Sequence, residues 1–323
     1  MEFESRVTLG AIEDPTGPGF FAEVLDMGDQ GYLVSSEALG GVVIVYDSEG
    51  RYQRELTREG EGPGELRTQP RFASGPGGII LMESGFARLH LYTSDLEFIR
   101  TLQVPGAVFL GSIQPNPATG GWLVTYRGED FTEVGILLLD QEGNVVRSMQ
   151  TGEESWRGLA SFIPGTDGMI WGSSAFGMIV LFDEDLELLG SLQLELPGTE
   201  GWEAPRTGPV GGYPAQVNDI RLAPDGSGLW VFAMAPEERF VELSVDELRD
   251  EVMANNSALE RVADAYLYWV RLEPDGLTLV GMDHFDTLVR PLGDGDLAYD
   301  ILETPDGNRR VRVGRLRFTK GSG

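Results

Sequence analysis

Cysteine is absent, lysine occurs once, at Lys320, and histidine twice, at His90 and His284, in a chain of 323 residues. Each shortage closes a line of chemistry. Without cysteine there is no disulfide frame, no thiolate metal site and no cysteine nucleophile. Two histidines leave little room for a multi-histidine metal centre. Positive charge is scarce as well: 24 basic side chains stand against 52 acidic ones, a formal net charge of −28. A surface this negative repels phosphate backbones and anionic lipid, so no nucleic-acid partner is expected. No stretch reaches the ~18 consecutive apolar residues of a membrane span, and no span is expected. The first residues, Met1 to Ser5, show neither the basic start nor the apolar centre of a signal peptide. A mature protein stripped of its export signal would begin in the same way. The expected location is periplasmic or extracellular, with the cytoplasm left open. Residues 319–323 read as an appended tail. Hydrophobic residues make up 41% of the chain, which argues against disorder.

What the sequence does contain is a repeat. A glycine-bearing turn followed by a short apolar strand recurs six times, with strands starting at Tyr32, Ile79, Trp122, Met169, Leu229 and Leu297. The spacings are 47, 43, 47, 60 and 68 residues. The first three match one four-stranded propeller blade of roughly 40–50 residues, and the last two match the same unit with insertions. A second marker lies inside each unit. Alternating strands such as Val43–Tyr46 and Leu89–Tyr92 end in acidic turns such as Asp47-Ser48-Glu49-Gly50. Asp and Gly supply the local hydrogen bonds and positive φ that such turns need.

The sixth unit lacks its last strand, and the segment Phe3 to Leu9 before the first blade can supply it. Phe3, Val7 and Leu9 read as one face of that strand. Glu2 and Glu4 on the other would meet the arginines of the Arg310–Phe318 strand. Closure of the ring removes exposed sheet edges. The expectation is an all-β, six-bladed β-propeller closed by the N-terminal strand, a single domain over 1–318, monomeric.

The run Gly60-Glu61-Gly62-Pro63-Gly64-Glu65-Leu66, then Pro70, Gly78-Ile79-Ile80-Leu81 and Ala87-Arg88-Leu89-His90-Leu91-Tyr92, resembles the NHL-type six-bladed propeller repeat. The match is good in the first two blades and degenerate later. The resemblance implies a fold and not a chemistry.

Both long insertions, 198–217 and 236–266, fall in loops that share one face of a propeller, over blade five. Segments this long are more often functional than idle. The first carries Trp202, Arg206 and Tyr213. The second contains an expected helix, with Ser244 and Glu247 as a capping box.

The innermost strand of each blade begins at that same face. This places Glu23, Arg71, Ser161, Asn218, Asp219 and Asp286 near the mouth of the central funnel, with Arg221 and Arg290 further down. Asn218, Asp219 and Asp286 are the candidate metal ligands, and calcium the candidate ion, because amide and carboxylate oxygens suit a hard cation. Against that stands the reading in which they satisfy one another around a wet channel. Asp283-His284-Phe285-Asp286 offers His284 and Asp286 as a candidate general base and its orienting carboxylate; a surface histidine reads the same way. His90, between Leu89 and Leu91, reads as structural. The leading expectation is a binding scaffold that recognises a small ligand, or a protein or peptide, at the face carrying the insertions. The rival is a calcium-dependent hydrolase or lactonase, or a lyase, using the funnel.

Overall fold

The structure is a computed structural model. It describes residues 2–10, 22–75, 77–116, 119–128, 134–150, 156–163, 170–174, 177–196, 216–223, 226, 228–236, 263–273, 276–285, 289–292, 296–303 and 309–317.

Strand β1 (Glu2–Leu9) is set aside by the chain for the end. Blade one follows as β2 (Glu23–Asp26), β3 (Tyr32–Ser35), β4 (Val43–Tyr46) and β5 (Tyr52–Glu55). Blade two is β6 (Arg71–Gly75), β7 (Gly78–Glu83), β8 (Arg88–Tyr92) and β9 (Phe98–Gln103). Blade three is β10 (Phe109–Pro115), β11 (Trp122–Arg127), β12 (Val134–Leu139) and β13 (Val145–Gln150). Blade four is β14 (Trp156–Phe162), β15 (Ile170–Ser174), β16 (Met178–Phe182) and β17 (Leu188–Gln193). Blade five is β18 (Gln216–Leu222), β19 (Leu229–Pro236), β20 (Ala263–Glu273) and β21 (Gly276–Phe285). Blade six has β22 (Arg290–Pro291), β23 (Leu297–Glu303) and β24 (Arg309–Arg317), and β1 pairs with β24 as its fourth strand. The six sheets form a six-bladed β-propeller, and the N-terminal strand closes it.

The glycine that recurs before each second strand has a steric cause. A Cβ on Gly31 would lie 2.1 Å from the Tyr46 carbonyl oxygen, and one on Gly78 2.1 Å from that of Tyr92. Gly121 meets the Leu139 carbonyl at 2.0 Å and Gly228 that of Val270 at 2.4 Å. At each of these corners the third strand ends against the start of the second, and only hydrogen fits between them.

The acidic turns also have a structural task. Asp47 Oδ1 accepts the Glu49 and Arg51 amides, both at 2.9 Å. Asp183 Oδ1 accepts those of Asp185 and Glu187, again at 2.9 Å. Two acidic turns, those after β12 and β16, also dock on the outer strand of the preceding blade. Arg100 donates to the Glu142 carbonyl at 2.8 Å, and Arg147 to the Asp185 carbonyl at 2.8 Å. The carboxylates of Asp47 and Asp183 therefore hold their turns closed, and that of Asp185 pairs with Arg147 across the blade interface.

Hydrophobic burial runs between blades. One apolar cluster lies in each interface, for example Leu33, Val45, Leu66, Ile79 and Leu81 between blades one and two. Second and third strands are covered by a neighbour on both faces, so β4 and β7 are buried at every residue. Fourth strands face solvent, and β5 is exposed throughout. This is why the middle strands read as unbroken apolar runs and the outer ones do not.

The closing strand departs from its expected pattern in two ways. The register shifts between Ser5 and Val7. Phe3 then packs with Leu316 in the interface of blades five and six, whereas Val7 and Leu9 pack between blades six and one. The three do not share one face, because the irregularity reverses the alternation. The arginines of β24 also divide their partners. Arg317 pairs with Glu4 at 2.6 Å, but Arg312 pairs with Asp300 and Arg315 with Asp296 inside the blade.

Candidate functional site

The inner strands of blades one, two and six bring charged side chains together at one side of the channel. Pairing distance from the hairpin end sets their depth. Glu23 pairs with Ser35 and Arg71 with Met82, each about four residues up from its turn, while Arg290, paired with Tyr299, sits nearer its own. Local bonds fix each position. The buried Ser35 hydroxyl donates to the Pro70 carbonyl at 2.8 Å and anchors the residue before Arg71. The Ala22 carbonyl, just before Glu23, accepts from Arg290 Nη1 and from the Tyr299 hydroxyl, both at 3.1 Å. The Arg290 guanidinium lies 6.0 Å from the centre of the Tyr299 ring.

Arg71 links its blade to both neighbours. Its Nη1 donates to the Gly111 carbonyl on β10 at 2.5 Å, and its Nε stands 3.9 Å from Glu23 Oε1. The pair is loose and open, with side-chain exposures of 46% for Arg71 and 39% for Glu23. A carboxylate or phosphate oxygen can approach such a guanidinium without first displacing a tight ion pair. Tyr299 is buried, and burial pushes its hydroxyl up to about 12, with Glu23 adding to the shift and Arg290 and Arg71 opposing it. It stays protonated at neutral pH and serves as a donor.

On blade five Asp219 and Arg221 engage each other. Asp219 Oδ2 accepts from Arg221 Nε at 2.9 Å and Nη2 at 2.6 Å, while its Oδ1 accepts the Ile220 amide at 2.8 Å. The side chains of Ser161 and Asn218 lie outside the described residues, as do Asp286, Trp202, Arg206, Tyr213 and the expected helix with Ser244 and Glu247. The insertions are described only at their ends, where 216–217, 236 and 263–266 belong to β18, β19 and β20; residues 198–215 and 237–262 lie outside the described residues. Among the described residues no group of three or more histidine and acidic side chains is placed to hold a metal ion. His284 sits on β21, the outermost strand of blade five, where it is exposed and its ring stacks on Tyr266 with centroids 5.9 Å apart.

A dense polar cluster lies in blade two, on its second and third strands. Glu83 Oε1 accepts the Arg67 amide at 2.6 Å, and Oε2 bonds His90 Nε2 at 2.8 Å. Arg88 approaches the same oxygen at 2.5 Å as an ion pair without hydrogen-bond alignment. The other nitrogen of His90, Nδ1, meets the Thr101 hydroxyl at 3.1 Å. Burial pushes the Glu83 carboxyl up, but His90, the Arg67 amide and Arg88 outweigh it and hold it below its ordinary value. Alternation in Leu89-His90-Leu91 marks His90 as structural. Its partner, seven residues away, is visible only through the register that pairs Glu83 with Arg88. Tyr299 was likewise not legible as a mouth residue, since its hydroxyl arrives from a second strand.

Among the described residues no helix is long and apolar enough to cross a membrane. No family model matches the chain, and no curated protein matches it. Solved structures do. A candidate exported protein of Bacteroides fragilis is similar at 10% identity, with a TM-score of 0.57 over 98% of this chain and 95% of that one. Virginiamycin B lyase of Staphylococcus aureus is similar at 12% identity, with a TM-score of 0.50 over 98% of this chain and 100% of that one. Hydrazine synthase of Kuenenia stuttgartiensis is similar at 14% identity, with a TM-score of 0.53 over 92% of this chain and 74% of that one. At these identities the likeness is one of fold. The fold is a six-bladed β-propeller.

Proposed function

We propose that the protein is a binding scaffold whose funnel mouth receives an anionic group of a small ligand or partner segment. The face is the one bearing the two insertions. The observation that carries this reading is the open pair Glu23–Arg71, with Arg290 fixed beside it from blade six. In a molecule of net charge −28, an anion needs a local positive field to be held at all. Arg71 offers one, since its guanidinium is half-exposed and its acidic neighbour is almost 4 Å away. The Gly60–Leu66 loop, closed by Gly60 N–H to Leu66 O at 3.0 Å, supports reading blades one and two as NHL-type repeats.

The test is a thermal-shift and calorimetry panel of small carboxylates and phosphate esters beside their neutral amides and alcohols. The expected result is binding of at least one anion over its neutral counterpart, weakened about tenfold or more by Arg71→Ala. A panel in which neutral and anionic members bind alike, or in which Arg71→Ala changes nothing, overturns the reading. Removal of residues 240–262, which leaves β20 whole, tests the face itself: the selected anion is expected to lose affinity, and unchanged binding by the folded deletion protein removes the insertions from the site.

A further inference from the structure

The outer rim is not uniform. On the fourth strands of blades one and two, one large apolar side chain each is exposed: Tyr52 on β5 and Ile99 on β9. On blades three, four and five such side chains cluster. Val145 and Val146 stand out on β13, Leu188 and Leu189 on β17, and Leu279, Val280 and Met282 on β21. Val146 and Leu188 are 69% and 64% exposed. These strands end their sheets, so each also presents one unpaired backbone edge. Exposed apolar side chains beside free strand edges invite pairing with another chain, and folded proteins normally blunt such edges with charge.

Between blades three and four the rim opens into a cleft of about 500 Å³. Leu138 and Val146 give it an apolar wall, and Asp140, Glu142, Glu184 and Asp185 stand around it. Arg147 is the only cation among the lining residues, and it is already paired with Asp185. Glu142 and Glu184 are exposed, and among the described residues no ion pair neutralises either carboxylate. The two carboxylates come from acidic turns of adjacent blades, and the apolar side chains lie on the strands that leave those turns.

The geometry points to this rim as a docking surface for an extended segment of a partner protein that alternates apolar and basic residues. Alternation follows from strand geometry: a segment added along β13 puts successive side chains on opposite sides. One set covers Val146 and Leu188; the other carries lysine or arginine toward Glu142 and Glu184. Charge selects this occupant over a second copy of the chain, because two molecules of net charge −28 repel, and the chain's own basic strand, β24, is already paired on both edges inside blade six. The surface is separate from the funnel mouth and does not depend on how that site is read.

The probe is a labelled short peptide alternating valine and lysine, with its valine–glutamate counterpart as control, followed by fluorescence anisotropy on the full chain. The valine–lysine peptide is expected to bind and the control not. Val146→Glu with Leu188→Glu should weaken binding about tenfold or more, whereas Ile99→Glu on the rim of blade two should leave it unchanged. Glu142→Gln with Glu184→Gln should flatten the salt dependence between roughly 0.05 and 0.3 M. All these positions are exposed, and a far-UV spectrum and melting curve confirm that each variant is folded. Three outcomes overturn the proposal: no binding of the valine–lysine peptide, equal loss from the Ile99 variant, or equal binding of both peptides. A dimer seen by sedimentation that Val146→Glu with Leu188→Glu dissolves would assign the surface to a second copy instead.

Discussion

Blade two and the funnel mouth each assemble carboxylate, guanidinium and a ring, yet they put them to opposite use. In blade two Glu83 is fully buried and His90 is 1% exposed. Both oxygens of that carboxylate are engaged, one by a backbone amide and the other by His90 and Arg88. Nothing is left to offer a ligand. At the mouth Arg71 and Glu23 are each more than a third exposed, and 3.9 Å separates them. Residue type does not distinguish the two groups. Water does: dry, mutually satisfied charges hold structure, while wet and loosely paired ones can change partner.

The comparison is tested hardest at Glu83. Glu83→Ala leaves the buried His90 and the partly buried Arg88 beside no anion, and removal of one partner from a buried pair costs about 3–5 kcal/mol. Urea denaturation at neutral pH should show that loss; a change below about 1 kcal/mol would place Glu83 with the surface pairs. The acid limb of stability gives a smaller, signed effect. The Glu83 carboxyl titrates below its ordinary 4.5 in the folded chain. Its contribution is therefore complete above 4.5 and is lost as pH falls through the lowered folded value. The stability gap between wild type and Glu83→Gln should narrow as pH drops below 4.5, and a gap that widens there contradicts the assignment.

The contrast also explains what was legible in the sequence. The six strand starts, from Tyr32 to Leu297, follow from turn chemistry and apolar runs, which are local properties. Closure by β1 was legible because the sixth unit ends one strand short. Facts that depend on register were not. The reversal of Phe3 against Val7 and Leu9 comes from an irregularity that no alternation announces. Glu83 meets His90 because β7 pairs with β8, and Tyr299 enters the mouth through a carbonyl that lies 277 residues away in sequence. Asp219, open in the sequence to reading as a metal ligand or as a group satisfied within the channel, bonds Arg221 two residues on. In the sequence that pair could equally have been two free groups.

Tyr299 lies between the two extremes, buried like Glu83 but bonded at the mouth. Tyr299→Phe keeps the ring and removes one neutral hydrogen bond to Ala22. That should cost about 0.5–1.5 kcal/mol, measured by urea denaturation. It should also loosen the start of β2, read as faster hydrogen exchange at Val24 than at Val34. Equal exchange at both would mean that Arg290 alone fixes the strand.

Arg71 should show the smallest effect on stability and the clearest separation from Glu83. Arg71→Ala removes a half-exposed guanidinium whose anionic neighbour is distant, and exposed pairs of this kind contribute about 0–1 kcal/mol. One hydrogen bond and one loose ion pair go with the side chain. The Gly111 carbonyl loses its donor, but at this exposure water can replace it. Glu23 loses a loose counter-charge in a strongly negative molecule, which pushes in the destabilising direction. The net change in urea midpoint should therefore be slight at moderate salt and somewhat larger at low salt, where repulsion among the acids is less screened. A loss comparable with that of Glu83→Ala, independent of salt, would mean that the mouth is built as the blade-two cluster is, and that Arg71 holds the ring together and is not available to a ligand.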